Sequence, residues 1–444
     1  MNFRYSARPT GSAHPMFRLR DIVAENRAGG RRGTYAVCSA HPWVIGAAVQ
    51  HALETGSLLH VESTGSQVNQ FGGYSSQTPQ QFATRIHSAA HKAGLASEQV
   101  LLGGDHVGPF PWRHEASADA MSKASQLVRD CVLAGYSKIH LDASTPCADD
   151  PKALDDLIVA ERAARLCHIA EEAFRELPAG SPPLLYVIGT EVPAPGGESA
   201  SAGRPEITKV EDVDATLQAF HAAFVRRGLS AAWERVIGLV VQPGVEFGDH
   251  FVFDYDRDKT RALSKALPSQ PPLVFEAHST DYQMPGALSQ LVEDHFAILK
   301  VGPWLTFAFR EAVFALAAME RELLGGRKGL RLSNVREEME QAMLRDPSHW
   351  RSYYQGDEHA LMLSRAYSYS DRCRYYWPNP TVESAVGQLI QNLSDPELPP
   401  GLLSQYMPRE YEAVRIGQLQ GRPKALIQFH IRNVLGPYAA ACGM

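Results

Sequence analysis

The chain has 444 residues, 44% hydrophobic and 21% charged, enough to bury at least one large core and ordinary for a globular protein. Its net charge of −6 gives no reason to expect nucleic acid or an acidic membrane surface as partner, although a local basic pocket for a small anion stays compatible with it. No apolar run is long enough for a membrane span or a signal peptide, and the six cysteines are scattered, so a cytoplasmic protein with reduced thiols is expected.

Residues 1–15 read as a flexible N-terminal extension, basic at Arg4 and Arg8 and without an acid. From Thr34 to about Gly325 short apolar runs then alternate with amphipathic ones. The predicted strands are Tyr35–Ser39, Leu58–Ser63, Val100–Gly104, Lys138–Asp142, Leu184–Gly189, Val236–Val241, Leu273–Ala277 and Ala297–Val301. Helical stretches between them include Pro79–Ala93, Ala118–Ala134, Leu154–Leu177, Val213–Arg227, Arg257–Leu267, Gly286–Asp294 and Thr306–Leu324. Thr78-Pro79 has the form of a capped helix start, Asp254 is a cap candidate, and Gly94, Gly135 and Gly228 each end a periodic run. Eight strand-then-helix units of this length predict an α/β fold, a (β/α)₈ TIM barrel over residues 16–326. An open doubly wound sheet would show a glycine-rich loop after its first strand, where this chain has Ser39-Ala40-His41-Pro42-Trp43. After Gly326 the alternation stops. Helical pieces at Ser333–Leu344, Asp357–Tyr367, Thr381–Leu393 and Lys424–Leu435 predict a helical C-terminal extension, 327–444, packed on the barrel.

Barrel active sites lie where strands end. In order, the strand ends carry Glu62-Ser63-Thr64, Asp105-His106, His140-Leu141-Asp142, Thr190-Glu191, Gln242, His278-Ser279-Thr280-Asp281 and Lys300. His106, Glu191, Gln242 and His278 converge from four strands onto one rim. Two imidazoles with carboxylate or amide oxygen suit a divalent ion, zinc first, then manganese, cobalt or nickel, and leave a position open for substrate. A strand-end histidine is often just a hydrogen-bonded structural residue, but two with carboxylates at one rim favour a metal. Gln242, the weakest donor, either binds the ion or positions substrate. Asp105 and His106 cannot both point inward in a regular strand, so one is expected just past it. Asp105 is then a general acid or base beside the ion, or a support for a ligand. Asn69, Gln70, Asp142, Ser279, Thr280 and Asp281 have the groups to bind a polyol or to cap turns. Lys300 and Arg310 are the nearest barrel cations for a phosphate, unless they sit in ion pairs. The stretch Tyr369–Trp377, with Arg372, either closes over a sugar phosphate or packs as a seam. No Walker loop, kinase signature or G-x-S-x-G elbow is present, so no nucleotide cofactor is expected.

Several runs together are specific: Val37-Cys38-Ser39-Ala40-His41-Pro42, Gln67–Tyr74, Gly103-Gly104-Asp105-His106-Val107-Gly108-Pro109, Gly189-Thr190-Glu191-Val192-Pro193, Val241-Gln242-Pro243-Gly244, Phe275–Gln283 and Arg374-Tyr375-Tyr376-Trp377. With these the chain resembles the Z-subunit family of class II D-tagatose-1,6-bisphosphate aldolase. The resemblance implies a class II aldolase type of barrel, with the catalytic Asp and metal-binding His at Asp105-His106, the carboxylate region at Glu191 and the last metal histidine at His278. Gln242 stands where the family has a histidine, and Ser279-Thr280-Asp281 replaces its glycine-serine phosphate loop. Family members have been labelled tagatose-6-phosphate kinase or non-catalytic aldolase subunit, and some interconvert D-tagatose 6-phosphate and D-fructose 6-phosphate at C4. The resemblance thus implies a metal-dependent epimerase acting on a phosphorylated ketohexose by retro-aldol chemistry, with Asp105 or Glu191 moving the C4 hydroxyl proton. The alternatives are aldol cleavage of the bisphosphate and a non-catalytic partner of a separate aldolase subunit. A homo-oligomer or such a partner is expected.

Overall fold

The computed structural model describes residues 15–189, 204–267, 272–395 and 397–444. Eight strands form a closed parallel barrel in chain order: β1 (Thr34–Val37), β2 (Leu59–Thr64), β3 (Val100–Val107), β4 (Lys138–Leu141), β5 (Leu185–Ile188), β6 (Val236–Val240), β7 (Val274–Ala277) and β8 (Phe296–Val301), with β8 pairing back to β1. All eight overlap the predicted strands, because strands covered on both faces are apolar throughout. The surrounding helices turn one stripe to the sheet. In Ser117–Leu133, for example, Ala120, Ala124, Leu127 and Cys131 are buried at helical spacing.

The N-terminal end of the barrel is plugged. Met16, Leu19 and Val23 of the helix Pro15–Arg27 join Leu101, Leu185, Val187, Val274 and Ile298 from inside the barrel in one apolar cluster. The flexible extension predicted over 1–15 lies, but for Pro15, outside the described residues.

The C-terminal region is helical and shares its core with the barrel. Phe309, on the helix Pro303–Leu324, has its ring centroid 4.8 Å from that of Trp377 and 4.5 Å from His41. The last helix, Pro423–Ala441, packs against Pro303–Leu324, Pro42–Thr55 and Pro285–Glu293. It runs past the predicted end at Leu435 and through Pro437, whose ring costs one backbone donor but not the helix. Two helices not predicted, Pro400–Tyr406 and Pro408–Arg415, begin at prolines that serve as first-turn residues instead of breakers. The helix Arg257–Ser264 is capped by Asp256, which accepts from the Lys259 amide, and not by Asp254. Between β6 and that helix, a hairpin of Glu246–Phe247 and Val252–Phe253 also escaped the sequence pattern.

Candidate active site

Above the apolar plug the barrel interior is charged. Inward positions of β2, β4, β7 and β8 carry Glu62, Lys138, Glu276 and Lys300, each almost wholly buried. Lys138 Nζ lies 2.7 Å from Glu62 Oε1 and 2.6 Å from Glu276 Oε2. Lys300 Nζ contacts Glu62, lies 3.4 Å from Glu276 Oε1, and donates to Asp105 Oδ1 at 2.8 Å. Three carboxylates thus face two ammonium groups, leaving the network one negative charge in excess. Burial opposes ionisation, but Lys138 and Lys300 win and hold Glu62 and Glu276 below the usual carboxylate range. Lys300 and His106 do the same for Asp105.

At the mouth, ligand atoms of Asp105, His106, His140 and His278 all lie within 4.8 Å of one another. The rings of His106 and His278 are 4.7 Å apart between centroids, those of His106 and His140 5.0 Å. Asp105 and His106 both belong to β3. The expectation that one lies beyond the strand gives way to a bulge: the β3–β4 register slips between Gly104 and Val107, and His106 takes a left-handed φ of 45°. Gly108 then brings β3 against β4, where a Cβ would fall 1.5 Å from the Asp142 carbonyl oxygen. Asp142 holds His106 by its Nδ1 at 2.6 Å, leaving Nε2 free. Asp105 and Asp142 raise the His106 imidazole against the effect of burial, whereas burial lowers His278 to about 4 and keeps it neutral. His278 Nε2 sits 3.0 Å from Glu276 Oε1, which leaves Nδ1 for another partner. His140 Nδ1 accepts the His106 backbone N–H at 3.2 Å and lies 3.5 Å from Asp105 Oδ1. Three imidazoles and a carboxylate clustered beside a network with a negative surplus fit a divalent cation.

The other predicted residues divide sharply. Asp105, His106, His278, Ser279, Asp281, Lys300, Asn69 and Arg372 line one cavity of about 750 Å³ at the mouth. Within it, Asn69 is tied to its own loop, accepting from the amides of Phe71 and Gly73. Asp281 accepts the Gly302 and Trp304 amides, and burial raises its carboxyl to about 6. Gln70 donates to the Lys123 carbonyl, and Thr280 to that of Lys300. Arg310 is buried in an ion pair with Asp371 at 3.0 Å. Gln242 turns its amide oxygen onto the Gly244 N–H at 2.8 Å and is not among the cavity residues. Glu191 lies outside the described residues. Sequence reasoning noted Glu62 and His140 at strand ends but gave no site role to them or to Lys138 and Glu276. Their signal is a charged or imidazole side chain inside a strand otherwise buried on both faces, spaced by two.

The comparisons with known proteins agree with this architecture. Residues 19–443 match the family described as D-tagatose-1,6-bisphosphate aldolase subunit GatZ/KbaZ-like. A crystal structure of a probable tagatose 6 phosphate kinase from Sinorhizobium meliloti 1021 is 41% identical, with a TM-score of 0.84 over 93% of this chain and 100% of that one. The YdjI aldolase of Escherichia coli K12 (10% identity, TM-score 0.39, 86% of this chain and 98% of that) is too remote to bear on the site. So is the fructose-bisphosphate aldolase of Campylobacter jejuni (16%, 0.41, 86% and 92%). Matched over nearly its whole length, the chain belongs to the GatZ/KbaZ-like family of D-tagatose-1,6-bisphosphate aldolase subunits.

Proposed function

We propose that the protein is a metal-dependent 4-epimerase interconverting D-tagatose 6-phosphate and D-fructose 6-phosphate, with His106, His140 and His278 holding the ion beside Asp105. Family membership relates it to the tagatose-bisphosphate aldolases. The observation that carries the finer reading is the single knot of three imidazoles and a carboxylate opening onto a cavity of hexose-phosphate size. In this reading His140 takes the place that Gln242 held in the sequence-based ligand set. Zinc is the first candidate for three imidazoles, and Glu191 remains a further candidate ligand or base.

The hydrogen at C4 of a 2-ketose is not adjacent to the carbonyl, so enolisation cannot remove it. The C3–C4 bond, in contrast, is the aldol bond. His106, His140 and His278 would hold a divalent ion, which would supply Lewis acidity to the ketose oxygens. Asp105, ionised and anchored by Lys300, takes the C4 hydroxyl proton. As the C3–C4 electron pair withdraws toward C2, C4 becomes an aldehyde. That fragment turns, the bond re-forms on its opposite face, and Asp105 returns the proton to the new hydroxyl. No atom is gained or lost.

The family's designation as an aldolase subunit favours a second reading, a chain that stabilises a separate aldolase. An NMR time course of metal-loaded protein with tagatose 6-phosphate, with and without chelator, separates the two. Fructose 6-phosphate should appear, and chelator should stop it. Unchanged substrate together with co-purification of an aldolase would support the subunit reading, and release of triose phosphates would support cleavage.

A further inference from the structure

The cations around the cavity fall into two sets. Lys300, bonded to the cluster's own Asp105, is already shared among three carboxylates, and Arg310 is matched by Asp371. Arg372 and Arg374, on the single-turn segment Arg372–Tyr375, line the same cavity without an ion pair to any carboxylate among the described residues. Arg372 is 3% exposed. It lies over the Tyr353 ring, donates to the His349 carbonyl at 3.2 Å, and leaves its buried Nε without a partner. The hydrogen bonds of Arg374 go to neutral groups, the Ser370 and Asp371 carbonyls and the Tyr375 hydroxyl. Arg85, also lining the cavity, donates to the Ala40 carbonyl. Arg372, buried, and Arg374, half-buried, are partly desolvated with no ion pair to a carboxylate among the described residues, and an anion supplied by a ligand offsets that cost. The local potential is felt by neighbours: burial alone would raise the Tyr375 phenol, yet Arg374 and Arg372 bring it below its ordinary value.

Resting on the epimerase reading, we propose that Arg372 and Arg374, assisted by Arg85, are the phosphate receptor, and that they select ketoses phosphorylated at the end remote from the carbonyl. Among the described residues the reacting end meets no spare cation: Lys300 is fully engaged and Arg113 is packed over the Phe110 ring at 4.3 Å. The selectivity therefore comes from the C-terminal region and not from a loop of the barrel.

Calorimetry on the metal-loaded full chain tests this, using fructose 6-phosphate, fructose 1-phosphate, fructose 1,6-bisphosphate and free fructose. The 6-phosphate should bind at least about tenfold tighter than the 1-phosphate or the free sugar, with no further gain for the bisphosphate. Arg374→Gln should remove about tenfold for the 6-phosphate and leave free fructose unchanged. Equal binding of the 1- and 6-phosphates by the unaltered protein overturns the proposal even if the variant does not fold. So does a folded variant with undiminished 6-phosphate affinity. Selective binding without epimerisation would leave the receptor standing and remove the epimerase reading. Epimerisation with an unchanged KM in Arg372→Gln and Arg374→Gln would do the reverse.

Discussion

Replacing Lys138 by Met tests whether the charged layer inside the barrel is a true electrostatic network. Met matches the lysine stem in volume, so the change removes a charge without opening a cavity. Lys138 lies 2.7 Å from Glu62 and 2.6 Å from Glu276, with all three side chains 0% exposed. Only Lys300 then remains to balance Glu62, Glu276 and Asp105. Breaking a buried pair from one side costs about 3–5 kcal/mol. The loss should also depend on pH. In the unaltered protein the lysines hold both glutamates ionised, with folded values below the unfolded one, so they stabilise the fold at neutral pH and cease to do so as pH falls. Without Lys138, one carboxyl has to take up a proton on folding. The deficit should then shrink by up to about 1.4 kcal/mol per pH unit as the medium becomes more acidic below neutrality. Urea unfolding followed by far-UV circular dichroism at pH 5.5 and 8 measures both effects. A loss below about 1 kcal/mol at pH 8, or one identical at the two pH values, would refute the reasoning.

His140→Ala and His278→Ala should each retain the fold and lose bound metal by elemental analysis, and stoichiometric metal in either variant would exclude that residue as a ligand. Asp105→Asn should lower epimerisation by about 100-fold or more, read by NMR, and full activity would exclude it as the base. His430 lies 2.9 Å from Glu410 and 3.4 Å from Glu311, and although burial opposes its charge, the two carboxylates raise it to about 9. A raised folded value stabilises fully below the unfolded one, about 6.5, and fades as pH passes about 9. His430→Gln should therefore cost on the order of 2–3 kcal/mol at pH 6 and almost nothing at pH 10, and equal losses at both would contradict the assignment.

All eight strands were legible because a strand buried on both faces leaves a continuous apolar run, and the glycines and prolines between runs mark its limits. The mouth was legible as a rim, since strand ends carry the polar residues. Which side chains point into it was less so. His140 was named at the end of β4 but given no ligand role, although Lys138 two residues earlier already marks the inward face. Gln242 is at the right height, but Gly244, at a φ of 80°, presents an amide that captures its oxygen. The bulge that lets Asp105 and His106 share a face depends on a left-handed histidine, a conformation no periodicity announces. The helices at Pro400 and Pro408 were missed because proline reads alike as a stop and as a first-turn residue.

The Tyr438 hydroxyl, on the last helix, donates to the Thr280 carbonyl at 2.6 Å, two residues beyond His278. The loop that carries one of the imidazoles is thus pinned by a residue 158 positions further along the chain. During synthesis every catalytic candidate of the barrel leaves the ribosome well over a hundred residues before that pin. The pocket therefore acquires its finished shape only after the last helix has been made and has docked.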